Sequence, residues 1–318
     1  MSDFKKLFRR DRFYWGVVMI VMTLVVIYML TNEYGLYHKL FQLEEYLERS
    51  QYFQGLWDIQ PELRNPAGVY SEEIPYWFLE RMVSVTVIAA LIAQAVKLLV
   101  QENQNRAEAL RIFPVKSRNL LTCHYLSGLP VIGIPLLLQT AIIRMDILYV
   151  EKNTNFVFTN KEQLWIYAGK AVIIFMLHYS LLIVCIKVAN HVPGTIFTFG
   201  VMEFTMTALA GYCLDMYWGN LAEDSISNWV FWIIATVALI LLSYIADQKR
   251  DYARNGFYAF PIVHWVVMGT VFGEIYFIFY SACGDIPKAV SFLVALAASV
   301  LITTGVHFVS KPEKTSCL

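Results

Sequence analysis

Charge is what this 318-residue chain has least of. Only 16% of its residues are charged, whereas 58% are hydrophobic. A soluble domain carries about a quarter charged residues and about half apolar ones, so the shortage argues against an ordinary soluble globule. Lys plus Arg and Asp plus Glu balance at 25 each, and nothing in that total points to a nucleic-acid partner. Cysteine is also sparse. Cys123, Cys185, Cys213, Cys283 and Cys317 are far apart and form no CxxC, so neither a disulfide framework nor a zinc site is indicated. No G-x-x-x-x-G-K-[ST] string occurs, so the chain cannot cradle nucleotide phosphates in a P-loop, and H-E-x-x-H and G-x-S-x-G are missing too. The first apolar block lacks a small-residue cleavage site, and a cleavable signal peptide is not expected.

What the chain has is apolar residues in blocks of about 20, the length needed to cross a hydrocarbon core. Eight blocks read as spanning helices: 13–31, 78–100, 120–148, 164–187, 194–216, 229–246, 257–280 and 288–309. The third is long enough to tilt or to extend past the bilayer. The fourth and fifth are separated only by His191, Pro193 and their neighbours, which makes them a tight hairpin. With the N-terminus inside, the inner segments hold fourteen Lys and Arg residues and the outer loops five. The positive-inside rule then places both termini in the cytoplasm. The expected fold is all-α, a polytopic membrane helix bundle in a cell (plasma) membrane. Residues 1–12, with Phe4, Leu7 and Phe8 at helical spacing among basic residues, read as a cytoplasmic interfacial helix. Residues 13–318 form the membrane domain. Its outer loop 32–77 contains Leu36, Leu40, Leu43 and Leu47 on one stripe, an amphipathic helix, and Asn65-Pro66-Ala67-Gly68 makes a turn.

The inner segment 101–119 holds Glu102-Asn103-Gln104-Asn105-Arg106-Ala107-Glu108-Ala109-Leu110-Arg111-Ile112-Phe113-Pro114-Val115-Lys116-Ser117-Arg118-Asn119. Its Ala, Glu, Leu and Arg favour helix. Pro114 stops that helix, because proline disfavours the helical conformation of the preceding residue. The expectation is a short cytoplasmic helix parallel to the membrane, joined to two spanning helices. This order of elements, with Phe113-Pro114-Val115-Lys116-Ser117-Arg118-Asn119-Leu120-Leu121 and a Gly- and Pro-bearing third helix, resembles the permease subunits of ABC-2 type ABC transporters. A second stretch, from Tyr244 to Pro261, resembles the basic loop and seventh-helix start of eight-helix bacterial members. Tyr252 stands where the family has an acidic residue, and Arg254-Asn255 splits Ala253 from Gly256. The resemblance implies that 101–119 is a coupling segment, with Glu108, Leu110, Arg111, Phe113 and Pro114 gripping an ATPase subunit. It further implies a second permease subunit, as homo- or heterodimer, with ATP and Mg held by the partner ATPase and no cofactor on this chain. This chain would do no covalent chemistry itself, and an amphipathic peptide or lipid would be a typical cargo of the exporter.

Ionisable groups inside spanning helices are costly and face protein or water. Glu203 lies near the middle of the fifth helix and Glu274 in the outer half of the seventh, candidates for a translocation route or a dimer contact. Lys170, Arg144 and Asp146 lie nearer helix ends, where snorkelling or pairing, such as Lys170 with Glu274, accounts for them. His124, His178, His264 and His307 sit on different helices and read as hydrogen-bonded packing rather than metal ligands. Aromatic clusters at the block ends, such as Tyr76-Trp77-Phe78, fit an interfacial belt. Gly128, Pro130, Gly133 and Pro135 predict a kink in the third helix. Two other classes stay open: an ATP-independent secondary transporter or channel, and a membrane-embedded enzyme. The first calls for charged residues converging at mid-membrane, the second for a His, Asp or Ser cluster at one face.

Overall fold

The computed structural model describes residues 15–28 apart from 17 and 26, then 70–72, 76–112, 117–153, 156–189, 191–214, 226–249, 258–282 and 288–309. The proposed interfacial helix 1–12, the stripe Leu36 to Leu47, the Asn65 turn, Phe113, Pro114, and Tyr252 through Gly256 lie outside the described residues. The described chain is almost wholly helical. Helical residues within 15–28 form α1. They are followed by α2 (Tyr76–Ile112), α3 (Ser117–Asn153), α4 (Gln163–Val188), α5 (Val192–Leu214), α6 (Ile226–Lys249), α7 (Pro261–Ala282) and α8 (Lys288–Val309). Each coincides with one of the eight apolar blocks. Five stretches are long and apolar enough to cross a membrane: Val83–Val100, Arg118–Tyr149, Gln163–Val188, Trp229–Lys249 and Pro261–Ile278. Val290–Gly305 is a shorter apolar helix.

Two helices differ from their blocks in a way that matters. Helix α2 runs unbroken for 37 residues through Ile112, so the expected separate helix at 101–112 is instead the continuation of α2. Nothing between Val100 and Ile112 breaks a helix: the stretch lacks proline and glycine and contains good helix formers. Helix α3 is also 37 residues long and passes through Pro130 and Pro135. At 1.5 Å per residue each is about 55 Å long, well beyond the roughly 30 Å of a hydrocarbon core. Helix α7 begins at Pro261, four residues after the predicted start at 257. The preceding residues are held otherwise: Ala189 and Tyr258 form an antiparallel bridge, and the Ala259 N–H donates to the Val188 carbonyl at 2.9 Å. Pro261 then opens the helix, where its missing N–H costs nothing.

The all-α expectation misses one small feature. Two three-residue strands, β1 (Tyr70–Glu72) and β2 (Phe156–Phe158), pair in parallel with Tyr70 opposite Phe156. The Glu151 carboxylate accepts from the Phe158 N–H at 3.0 Å and from Lys161 Nζ at 2.9 Å, which fixes the turn leading into α4.

The helices divide into two compact units, with boundaries inside α2, α3 and α4. One unit holds the described residues of 8–94 and 125–175. In it α2 and α3 pack antiparallel across a polar seam: Thr86 Oγ1 donates to Gln139 Oε1 at 3.2 Å, and Gln94 Nε2 donates to the Ser127 carbonyl at 3.5 Å. All four residues are buried. The other unit holds the described residues of 95–124 and 176–318. Its apolar core includes Ala189, Val201, Tyr258, Val267 and Val271, with Phe197, Met202, Val263 and Ile275 packed against them. Of the five candidate spans α4 is the most buried, at 78%, against 17% for α6 and 11% for α7. The outward faces of α6, α7 and α8 are apolar, with Ile234, Ile262, Trp265, Leu293 and Leu301 all more than 60% exposed. Such a surface suits a bilayer and not water.

Candidate functional site

Two polar contacts hold α5 between its neighbours. His178 Nδ1, on α4, lies 2.7 Å from Glu203 Oε1 and 2.9 Å from Oε2. An ionised carboxylate only accepts, so Nδ1 carries the proton in that contact. The imidazole is almost fully buried, with 5% of its side chain exposed, while Glu203 keeps 27%. Two residues further along α5, Thr205 hydrogen-bonds Glu274 of α7 through its hydroxyl. Residues two apart on a helix point about 200° apart, which is why Glu203 meets α4 and Thr205 meets α7. The two carboxylates are therefore tied on opposite faces of α5 rather than gathered into one cluster. Neither has a Lys or Arg partner among the described residues. Their partners are an imidazole and a hydroxyl.

The cations of the candidate spans are occupied elsewhere. Arg144 Nη2 pairs with Glu162 Oε1 at 3.0 Å, and Lys170 Nζ lies 5.2 Å from the centre of the Tyr167 ring, a cation–π distance. Glu274 meets Thr205 within its own unit.

A second group of contacts lies where α3 begins and where α4 and α6 end. Lys187 Nζ and Asp247 Oδ1 meet at 2.8 Å with only 5% and 2% of their side chains exposed. A buried ion pair contributes little net stability, but removing one partner costs about 3–5 kcal/mol because a buried charge is left uncompensated. One turn before Asp247, Tyr244 Oη lies 2.8 Å from Thr122 Oγ1. The Thr122 hydroxyl proton goes to the Arg118 carbonyl at 2.9 Å, so Tyr244 is the donor between the two side chains. Close by in the chain, Tyr179 donates to the His124 carbonyl at 2.9 Å, joining α4 to α3. Tyr258, in the entry to α7, shares a 3.2 Å hydrogen bond with Thr198 of α5.

Of the residues singled out in the sequence, Glu108, Leu110 and Arg111 lie in the last turn and a half of α2. Glu203 and Glu274 fall in the one unit but at separate contacts. His178 is hydrogen-bonded to Glu203. Its pairing with Glu203 had a signal in the sequence. His178 is twelve residues before Asn190 and Glu203 twelve after His191, so a tight hairpin puts them at one depth. Lys187, Asp247, Thr122 and Tyr244 were not singled out. Their helices are not consecutive, and no spacing along the chain reports which non-consecutive helices touch. Among the described residues no group of three or more His, Cys, Asp or Glu side chains is placed to hold a metal ion.

No protein-family model, curated protein or solved structure matches this chain.

Proposed function

We propose that this chain is the membrane-spanning permease subunit of an ATP-driven exporter of the ABC-2 kind. Its eight helices span a cell membrane with both termini in the cytoplasm, and its ATPase is a separate chain. A second permease subunit completes the path, and the cargo is an amphipathic peptide or lipid. What supports the reading is the length of α2. After Val100, where the candidate span ends, twelve further helical residues continue to Ile112, and α3 restarts at Ser117. At 1.5 Å per residue that extension reaches about 18 Å beyond the span. Glu108, Leu110 and Arg111 then sit at the tip of that extension, and Phe113 and Pro114 follow it in the sequence. A partner gripping that tip acts on two spanning helices with a rigid lever. The Phe-Pro-Val-Lys-Ser-Arg string that follows in the sequence and the fourteen-to-five distribution of Lys and Arg agree with it. Purification of the chain from its native membrane tests the assignment. A P-loop ATPase should co-purify, and Phe113→Ala or Arg111→Glu should release it.

The His178–Glu203 contact favours a second reading, an ATP-independent carrier. A carboxylate paired with an imidazole in mid-helix is the kind of group such carriers use. That reading requires transport in vesicles without nucleotide, and the permease reading requires none.

A further inference from the structure

The polar contacts of the unit containing 95–124 and 176–318 are not scattered. Helix α3 starts at Ser117, shortly after the end of the α2 extension in the sequence. In its first turns Thr122 is hydrogen-bonded by Tyr244 of α6. Asp247, one turn on along α6, is ion-paired with Lys187 of α4 inside the protein. Helix α4 in turn carries His178, which holds Glu203 of α5. Lys187 and His178 are nine residues apart, about 180° around the helix, so α4 faces α6 with one side and α5 with the other. Each link is a directional contact between two helices. Two of the three involve a charged group, and the Lys187–Asp247 link is fully withdrawn from solvent.

Buried ion pairs are poor stabilisers but effective at fixing one arrangement of elements over others. An α6 that slides past α4 must leave both charges unpaired in an apolar interior, so the two helices move together or not at all. The same holds more weakly for the Tyr244–Thr122 contact, whose loss strands a phenol hydroxyl. We propose that the last two turns of α6, through Tyr244 and Asp247, transmit movement of the α2 extension (101–112) and the first turns of α3 to the His178–Glu203 contact. Tyr244 and Asp247 are positioning residues: neither would touch cargo or nucleotide. This rests on the permease reading, because the movement originates in the partner ATPase.

The test uses the complex in native membranes, in a background without native cysteines, with Met202→Cys as reporter. Met202 is next to Glu203 and half-buried against the α5–α7 core. Maleimide labelling of that cysteine is measured with and without ATP and magnesium. In the otherwise unaltered complex the nucleotide should change the labelling rate by at least about fivefold, the lower end of ordinary coupling between sites. Tyr244→Phe, which removes only a hydroxyl, and Asp247→Asn should keep the ATPase attached and abolish that change. The swap Lys187→Asp/Asp247→Lys should recover it, and Tyr244→Phe, which leaves the ion pair intact, separates transmission from simple destabilisation. If Tyr244→Phe and Asp247→Asn respond to ATP as the unaltered complex does, the proposal is overturned. If no ATPase accompanies the unaltered chain, the permease reading fails, and the inference with it, before any variant is made.

Discussion

Glu203 sits halfway along α5, where an isolated carboxylate in hydrocarbon costs several kcal/mol, and the His178 imidazole offsets part of that cost. A hydrogen bond to a charged group contributes about 1.5–3 kcal/mol, so the two residues should be energetically coupled. In a double-mutant cycle of His178→Leu and Glu203→Leu, the double variant in detergent should unfold closer to wild type than the two single losses sum to. The coupling should be about 1 kcal/mol or more, and additive losses would show that the contact carries no weight. Transport makes a separate demand. Glu203→Leu should abolish transport while leaving the protein inserted and abundant; normal transport in both Glu203→Leu and Glu203→Gln would remove Glu203 from the site. At this scale the sequence was partly legible. The depth of Glu203 was visible from hydropathy alone, whereas its pairing with His178 was not read from the sequence, although the α4–α5 hairpin places the two at one depth. Lys187 and Asp247 were not legible. Each looks like an interfacial charge at a helix end, and only the packing of α4 on α6 shows that both are buried.

At the scale of elements, periodicity and block length located every helix, with ends shifted by a few residues. The exceptions have physical causes. Helix α2 continues past its apolar block because helix propensity does not stop where hydrophobicity does; only Pro114, two residues past Ile112, supplies a stop. Helix α7 starts late because the Tyr258–Ala189 bridge and the Ala259–Val188 bond claim the backbone that would have been its first turn. The strands β1 and β2 are three residues each, too short for an alternating pattern, and their partner is far along the chain. The element assignments carry a topology that can be checked. In intact cells, Ser71→Cys in β1 should react with an impermeant thiol reagent. Gln248→Cys at the end of α6 and Gln104→Cys in the α2 extension should react only after permeabilisation. Labelling of Gln104→Cys in sealed cells would invert the orientation and place the tip out of reach of a cytoplasmic ATPase.

Among the described residues the helices are apolar outside and selectively polar within. Helices α6, α7 and α8 expose large hydrophobic side chains along most of their length, while Gln94, Gln139, Lys187 and Asp247 are enclosed. An exterior of that kind predicts that Val237→Arg, near the middle of α6 and half-exposed, should be poorly tolerated. An arginine at the centre of a span costs about 2.5–3.5 kcal/mol on insertion scales, so the variant should accumulate at a lower level in the membrane fraction than Val237→Leu. Equal accumulation would mean that this face of α6 does not meet lipid. The permease proposal adds a partner chain that acts on the end of α2, residues 101–112. Truncating one hot-spot residue in a protein interface costs about 2 kcal/mol or more, roughly thirtyfold in affinity. The most direct measurement is therefore the amount of P-loop ATPase that co-purifies with the wild-type chain, with Phe113→Ala and with Arg111→Glu, at matched membrane levels. The account predicts a stoichiometric ATPase with wild type and its near-complete loss from both variants. A wild-type preparation that transports in vesicles with no ATPase present would contradict it.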